Sequence, residues 1–265
     1  MQSSLSDTIW LSEKRKRLLL LLMEGPRNID QIKTSLNVTS KAMMPQIKIL
    51  REQNLIIEED RVYRLSDIGE IIVKNMVPLL KTLGVIEENN DYWATRDLSS
   101  IPEELDSRLG DIGECMVIEP DMNHLFDLPE EFSKNLIKSN KVMTIMAYFH
   151  PLYPDLYYEL ANNGVQIDLI LTEPIYKRMK EEHTDKFRHI VEREHTNLYI
   201  CNEVNLTSVV TDRFIYLCLF NKNDMYDHKK IMSFDASALQ WGTELYKHFR
   251  QKSTLIEWDL PELND

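Results

Sequence analysis

The stretch Thr39-Ser40-Lys41-Ala42-Met43-Met44-Pro45-Gln46-Ile47-Lys48-Ile49-Leu50-Arg51 decides how the first third of the chain reads. Met43, Ile47 and Leu50 recur at i, i+4 and i+7, the spacing of one apolar helix face. Thr39 is a natural N-cap, because its hydroxyl accepts from an amide that the first turn leaves without a partner. With the apolar residues turned inward, Ser40, Lys41, Met44 and Lys48 face outward, and Gln46 lies toward the flank. Asn37-Val38 makes a tight turn before this helix. Upstream, Asn28 caps a short helix with Ile29, Ile32 and Leu36 on one face, and Ser12 caps an earlier one bearing Leu18, Leu21 and Leu22. Gly25-Pro26 separates the two. Downstream, Leu55-Ile56-Ile57 and Val62-Tyr63-Arg64-Leu65 flank the polar Glu58-Glu59-Asp60-Arg61, the pattern of a β-hairpin. Ser66 caps a further helix with Ile68, Ile72, Met76 and Leu80 in register.

Helix, short helix, turn, helix, hairpin, helix is the order of a winged helix-turn-helix, whose third helix enters the DNA major groove while the hairpin wing follows the backbone. Residues 1–84 are read as that domain, with double-stranded DNA as its partner. The candidate contacts are Thr39, Ser40, Lys41, Met44, Gln46 and Lys48 on the third helix, with Arg61 and Arg64 on the wing. Ser40, Lys41 and Gln46 are placed for base edges and Lys48 for a phosphate. Pro45, sixth in the helix, removes a hydrogen bond, so a bend is expected there.

The charge distribution agrees. Over all 265 residues, 43 acidic side chains outnumber 31 basic ones, giving −12. Within 12–51, however, 9 basic residues face 3 acidic ones. A basic head on an acidic body points to a polyanion at the head. Composition is that of a globular chain, 43% hydrophobic and 28% charged, which excludes disordered and collagen-like classes. No apolar run approaches the ~20 residues of a membrane span. The run 18–23 after Lys14-Arg15-Lys16-Arg17 is too short for a signal peptide. Three scattered cysteines, Cys115, Cys201 and Cys218, fit no disulfide framework, so a cytoplasmic location is expected.

Residues 85–130 read as a helical connector suited to dimerisation, and 131–265 as an α/β effector domain. There, 142–149 and 165–171 are apolar runs flanking a helix at 154–161, a βαβ unit with parallel strands. A helix from Ile175 to Glu182 and strands near 198–201, 206–211 and 214–220 follow, the last two joined by Asp212-Arg213. A final helix after Asp235 carries Ala238, Trp241, Leu245 and Phe249 on one side.

Met44-Pro45-Gln46-Ile47-Lys48-Ile49-Leu50-Arg51 and Tyr63-Arg64-Leu65-Ser66-Asp67-Ile68-Gly69 resemble the archaeal winged-helix regulators of the ArsR-like type. With Tyr148-Phe149-His150-Pro151-Leu152-Tyr153-Pro154, Leu169-Ile170-Leu171-Thr172-Glu173 and Trp241-Gly242-Thr243-Glu244-Leu245-Tyr246, the chain is similar to the methanogen group whose C-terminal half is the methanogenesis-regulator middle domain. That resemblance implies sequence-specific, homodimeric transcription regulators of methane-forming metabolism with an effector domain. The fold class expected is thus α/β plus α: winged helix-turn-helix, helical connector, and a phospholipase D-like, non-catalytic α/β domain.

His228-Lys229-Lys230-Ile231-Met232-Ser233-Phe234-Asp235 fits H-x-K-x-x-x-x-D, the phospholipase D signature, and raises an alternative: a phosphodiesterase or nuclease using one motif from each subunit of a dimer. Such chemistry needs two facing copies, and the Gly-Ser-x-Asn that typically follows is replaced by Ser237-Ala238-Leu239-Gln240, so no enzyme is expected and Asp235 reads as a helix cap. His183, His189 and His195, six apart, rotate away from one another on a helix and make no metal face. No cofactor or metal is expected. Ligands of open α/β sheets bind beyond the carboxyl ends of the strands, which here carry His150, Tyr153, Thr172 and Glu173, the candidate site for a small-molecule effector.

Overall fold

The computed structural model describes residues 4–121, 123, 127–223 and 225–256. The chain divides into two compact units, Met1–Leu80 and Lys81–Asp265.

In the first unit, α1 (Leu5–Trp10) precedes α2 (Glu13–Met23), β1 (Arg27–Asn28), α3 (Ile29–Leu36), α4 (Ser40–Glu52), β2 (Ile56–Glu59) and β3 (Val62–Leu65), and α5 (Asp67–Glu88) begins here. Each helix starts where a side chain meets an otherwise orphaned amide. Ser12 accepts from the Arg15 N–H, Thr39 from that of Ala42, and Ser66 from that of Gly69. Asn28 and Gln31 form a reciprocal capping box. Asn37 closes α3 in the left-handed conformation, φ 52°. Met43, Ile47 and Leu50 are buried together with Leu18, Leu22, Ile32 and Leu65 in one apolar core. Helix α4 continues through Pro45 without a break.

The hairpin is tighter than expected. Strand β2 runs to Glu59, and Asp60 and Arg61 alone turn the chain, with φ 49° and 64°. Two successive left-handed residues match the twist of the strands they join. β1 adds to the hairpin as a third strand, in the order β1-β3-β2. Neither α1 nor β1 was legible in the sequence. Gly69 is required where α5 starts: a Cβ there would lie 2.0 Å from the Leu55 carbonyl oxygen.

The second unit contains α6 (Asn90–Trp93), α7 (Glu103–Asp106), a 3₁₀ turn (Leu109–Ile112), β4 (Cys115–Ile118), α8 (Glu130–Leu136), β5 (Lys141–Met146), α9 (Tyr153–Asn162), β6 (Gln166–Leu171) and α10 (Glu173–Glu182). It continues with α11 (Thr184–Val191), β7 (Thr196–Ile200), β8 (Leu206–Thr211), β9 (Ile215–Leu219), β10 (Lys230–Ser233), α12 (Ala236–Gln251) and β11 (Thr254–Leu255). The strands form one mixed sheet, β11-β7-β6-β5-β8-β9-β10-β4. β5, β6 and β7 are parallel, as the βαβ pattern requires, and the other pairings are antiparallel. Alternate residues of each strand feed two cores. Ile145, Ile215 and Leu217 join Trp241 and Leu245 of α12 on one face, whereas Val142, Tyr216 and Met232 join Tyr157, Phe187 and Phe132 on the other. Burial on both faces explains why these strands read as continuous apolar runs.

Residues 85–130 are not a separate connector. Val85, Tyr92, Trp93, Ile101, Leu105, Leu109 and Ile112 are buried in the α12-side core, and β4 is an edge strand of the sheet. Their mixed, polar sequence hid this because the segment is mostly short turns that cover only one sheet face. The Trp93 indole donates to the Val85 carbonyl and that of Trp241 to the Leu105 carbonyl, both at 3.0 Å.

Candidate functional site

In the first unit, the outward face of α4 presents Lys41 and Met44, with Lys48 one further turn along. Lys41 is exposed and has no ion pair among the described residues; Lys48 is exposed and 3.9 Å from Glu52. Thr39 is committed to its cap and Ser40 is half-buried. Gln46 is not free: its Oε1 accepts from the Arg15 guanidinium at 3.0 Å. On the hairpin, Arg61 is exposed at the tip, whereas Arg64 donates to both carboxylate oxygens of Glu59, at 3.0 and 3.3 Å. Several other cations of the basic stretch are likewise paired, Lys16 with Glu13, Lys33 with Asp30, Arg51 with Glu58. Exposed pairs of this kind hold only ~0–1 kcal/mol, so a phosphate can displace them.

In the second unit, strand register assembles a polar cluster at one end of strands β8, β9 and β10. Thr207 of β8 faces Cys218 of β9, and Ile231 of β10 faces Leu217, which sets Lys230 beside Cys218. The Thr207 hydroxyl accepts from the Ala147 and Tyr148 amides, both at 3.1 Å, fixing the chain that leaves β5 toward His150. Lys230 is 8% exposed, its ammonium 5.7 Å from the Tyr226 ring and 5.9 Å from that of Tyr216. Tyr148 stacks on Tyr226, and His228 lies edge-on to both. His150, 3% exposed, sits against Tyr153. Its Nδ1 accepts from the Leu152 N–H at 3.2 Å, so the neutral ring carries its proton on Nε2. A cavity of about 170 Å³ is lined on one side by His228 and Lys230 and on the other by Glu119, Asp121 and Asp127.

Burial governs the titration of this cluster. Burial, then the charges of Lys230 and His228, lower the His150 pKa to about 4. Burial lowers the Lys230 pKa as well, against the opposing pull of Cys218 and Asp227. His228 is lowered by burial and by Lys230. Burial pushes the Cys218 thiol up to about 12 and Cys115 up to about 11, which leaves both as inert thiols at neutral pH.

Of the expected effector residues, His150 and Tyr153 belong to this cluster. Thr172 donates its N–H to the Met146 carbonyl, while Glu173 pairs with Lys177 and its N–H reaches Asn202 on the β7 side. Sequence reading missed Tyr148 and Tyr226, which meet from segments far apart in the chain. Asp235 stands at the N-cap position of α12, but its carboxylate accepts from the Glu114 N–H at 2.9 Å rather than capping the helix. His183 stacks on Phe149, His189 bonds Asn162 and His195 bonds the Ala161 carbonyl, three separate places. No group of three metal-ligating side chains occurs among the described residues. Nor is any described helix long and apolar enough to cross a membrane.

Residues 8–84 and 125–252 each match a family model, two regulator-protein domains carried in tandem. The first is the N-terminal domain, and the second the middle domain, of the methanogenesis regulatory protein FilR1. The chain is similar to the methanogenesis regulatory protein FilR1 of Methanothrix harundinacea (strain 6Ac), 25% identical over 256 residues covering 94% of this chain. It spans 57% of that relative's length. Among solved structures it is similar to TrmBL2, an archaeal chromatin protein (TM-score 0.43, 12% identity, 92% of this chain and 94% of that one). It is also similar to Nuc of Salmonella typhimurium, a phospholipase D family member (TM-score 0.40, 9% identity, 55% and 100%).

Proposed function

We propose that the chain is a sequence-specific, double-stranded-DNA-binding transcription regulator of methanogenesis-related genes, with an ArsR-like winged helix-turn-helix in 1–84 and an effector-responsive second unit that includes 131–265. The observation that carries this reading is the exposed cationic face of α4, Lys41 and Lys48, preceding a hairpin with Arg61 at its tip. The matches to both FilR1 domains support it. In this reading the protein acts as a homodimer, with the segment 85–130 contributing to dimerisation, and its two heads read half-sites about one helical turn apart. Lys41 and Lys48 supply phosphate and base contacts, Thr39, Ser40 and Met44 line the groove, and Arg61 follows the backbone. Gln46 and Arg64 reach DNA only by leaving Arg15 and Glu59.

Electrophoretic shift on genomic fragments at two salt concentrations tests this. Affinity falls steeply with salt, and the double variant Lys41→Ala/Lys48→Ala flattens the salt slope by about two phosphate contacts. Absent or salt-insensitive binding by the wild type refutes it. The phosphodiesterase alternative is disfavoured by Asp235, whose carboxylate is engaged by the Glu114 amide.

A further inference from the structure

A cavity of about 260 Å³ opens in the first unit between the end of α2, the turn after it and the base of the hairpin. Leu22 and Leu65, both buried, line it together with Met23 and Pro26, which water still reaches. Met23 keeps 45% of its surface exposed, and covering that surface is favourable in proportion to the apolar area taken from water. Two cations share the lining, Arg64 of β3 and Lys74 of α5. Glu59 engages one edge of the Arg64 guanidinium, accepting from Nε at 3.3 Å and Nη2 at 3.0 Å. The Leu65 carbonyl takes an N–H of Nη1 at 3.4 Å. Each terminal nitrogen therefore keeps an N–H that no acceptor among the described residues uses, enough to hold a further carboxylate by two bonds. The Lys74 ammonium gives one N–H to Glu70, at 3.3 Å, and has others to spare. Glu70 is the single carboxylate on the lining among the described residues, against two cations, so the cavity carries a net +1.

We infer that this cavity binds a small aromatic monocarboxylate, its ring against Met23, Pro26 and Leu65 and its carboxylate on Arg64 and Lys74. One negative charge balances the lining, whereas a dianion brings its second charge against Glu70. The planar guanidinium matches a planar carboxylate, with Lys74 as a supporting point charge. The Met23 thioether favours an aromatic body over an aliphatic one. The site goes beyond the effector role read for the second unit and does not depend on it. Glu59, 65% exposed, is the rival anion for Arg64. The consequence for DNA rests on the regulator reading: a ligand that holds Arg64 at the cavity keeps that wing cation from the phosphates and weakens DNA binding. No bond is made or broken; the site holds its ligand.

The test titrates the full chain, its methionine methyls labelled with carbon-13, with benzoate, benzamide and acetate at an ionic strength fixed with chloride. Benzoate moves the Met23 methyl resonance, assigned through Met23→Leu, saturably by its ring current, with a Kd on the order of 1 mM for so small a probe. Benzamide, the same ring without the charge, binds about tenfold or more weakly, and acetate moves nothing. Arg64→Gln loses about tenfold in benzoate affinity, whereas Glu59→Gln, which removes the rival anion, gains several-fold. A purely structural Arg64–Glu59 pair predicts no such opposition of sign. If Arg64→Gln does not fold, Lys74→Gln takes its place with a several-fold loss. No saturable shift at Met23, an equal response to benzamide, undiminished affinity in Arg64→Gln or Lys74→Gln, or no gain in Glu59→Gln overturns the assignment. DNA affinity is measured separately, with and without benzoate. A wild type that binds benzoate at Met23 but no DNA sinks the regulator reading and leaves this one standing, and DNA binding without the Met23 shift does the opposite.

Discussion

Arg96→Met is expected to be among the most damaging single changes in the second unit. The Arg96 guanidinium is 1% exposed and all of its nitrogens are used. Nε donates to the Tyr92 carbonyl at 3.3 Å, and Nη1 to the Leu219 carbonyl at 3.2 Å and Asp227 Oδ1 at 2.8 Å. Nη2 donates to Thr95 Oγ1 and to Asp227 Oδ2. The charge also lies 4.7 Å over the Tyr92 ring. Burial pushes the Asp227 carboxyl up, but hydrogen bonds from Arg96 and the Lys229 amide outweigh it and hold it below the ordinary carboxylate range. Methionine fills the volume and removes both guanidinium bonds from Asp227, while the Tyr92 carbonyl keeps its bonds from Thr95. Removing one partner of a buried pair costs ~3–5 kcal/mol. Asp227 is 29% exposed and keeps the Lys229 amide, so water recovers part of that and the lower end, about 3 kcal/mol, applies. With a urea m-value of about 3 kcal/mol/M for a chain of this size, the midpoint of the unfolding transition drops by about 1 M. Buried Trp93 and Trp241 report that transition by fluorescence. Asp227→Asn added to Arg96→Met costs much less than Asp227→Asn alone, because the two residues act as one unit. A midpoint within ~0.2 M of wild type, or fully additive losses, refutes the reasoning.

Gly69→Ala forces a methyl against the Leu55 carbonyl and destabilises the first unit by more than ~2 kcal/mol; unchanged thermal unfolding contradicts the packing described. His150 has a folded pKa of about 4, below the ~6.5 of an unfolded histidine. As pH falls the unfolded chain takes up that proton first, so its contribution is complete above ~6.5 and is lost toward pH 4, by up to ~3 kcal/mol. His228 and His248 act with the same sign, so the difference between wild type and His150→Gln in urea midpoints across pH 4–7 isolates the residue, and parallel profiles refute it. On DNA, Gln46→Ala weakens binding less than Lys41→Ala, because Gln46 is tied to Arg15; competition shift assays giving the reverse order place α4 differently in the groove.

Much of the first unit was legible because its signals are local. Caps at Ser12, Asn28, Thr39 and Ser66 and the face Met43, Ile47, Leu50 each depend on residues within two helical turns. The strands β5, β6, β8 and β9 were equally visible as apolar runs, being covered on both faces. The edge strand β4 and its neighbour β10 were not, since Met116 and Lys230 break the apolar pattern. Asp235 of the motif around His228 and Lys230 reads as a helix cap in the sequence, yet its carboxylate is taken by the Glu114 amide at the entry to β4, a partner 121 positions away.

What the sequence determined by itself is the longer helices α2 to α5, α9, α10 and α12, their inward faces and the basic stretch 12–51, because periodicity, capping and charge count act over a few residues. What only the tertiary structure decided is which polar groups share a site. Arg96 meets Asp227 across 131 positions, and Lys230 is set beside Cys218 and Thr207 by the register of antiparallel strands β8, β9 and β10. Register is a cooperative property of the whole sheet, in which a one-residue slip reverses every side chain, and no local pattern encodes it.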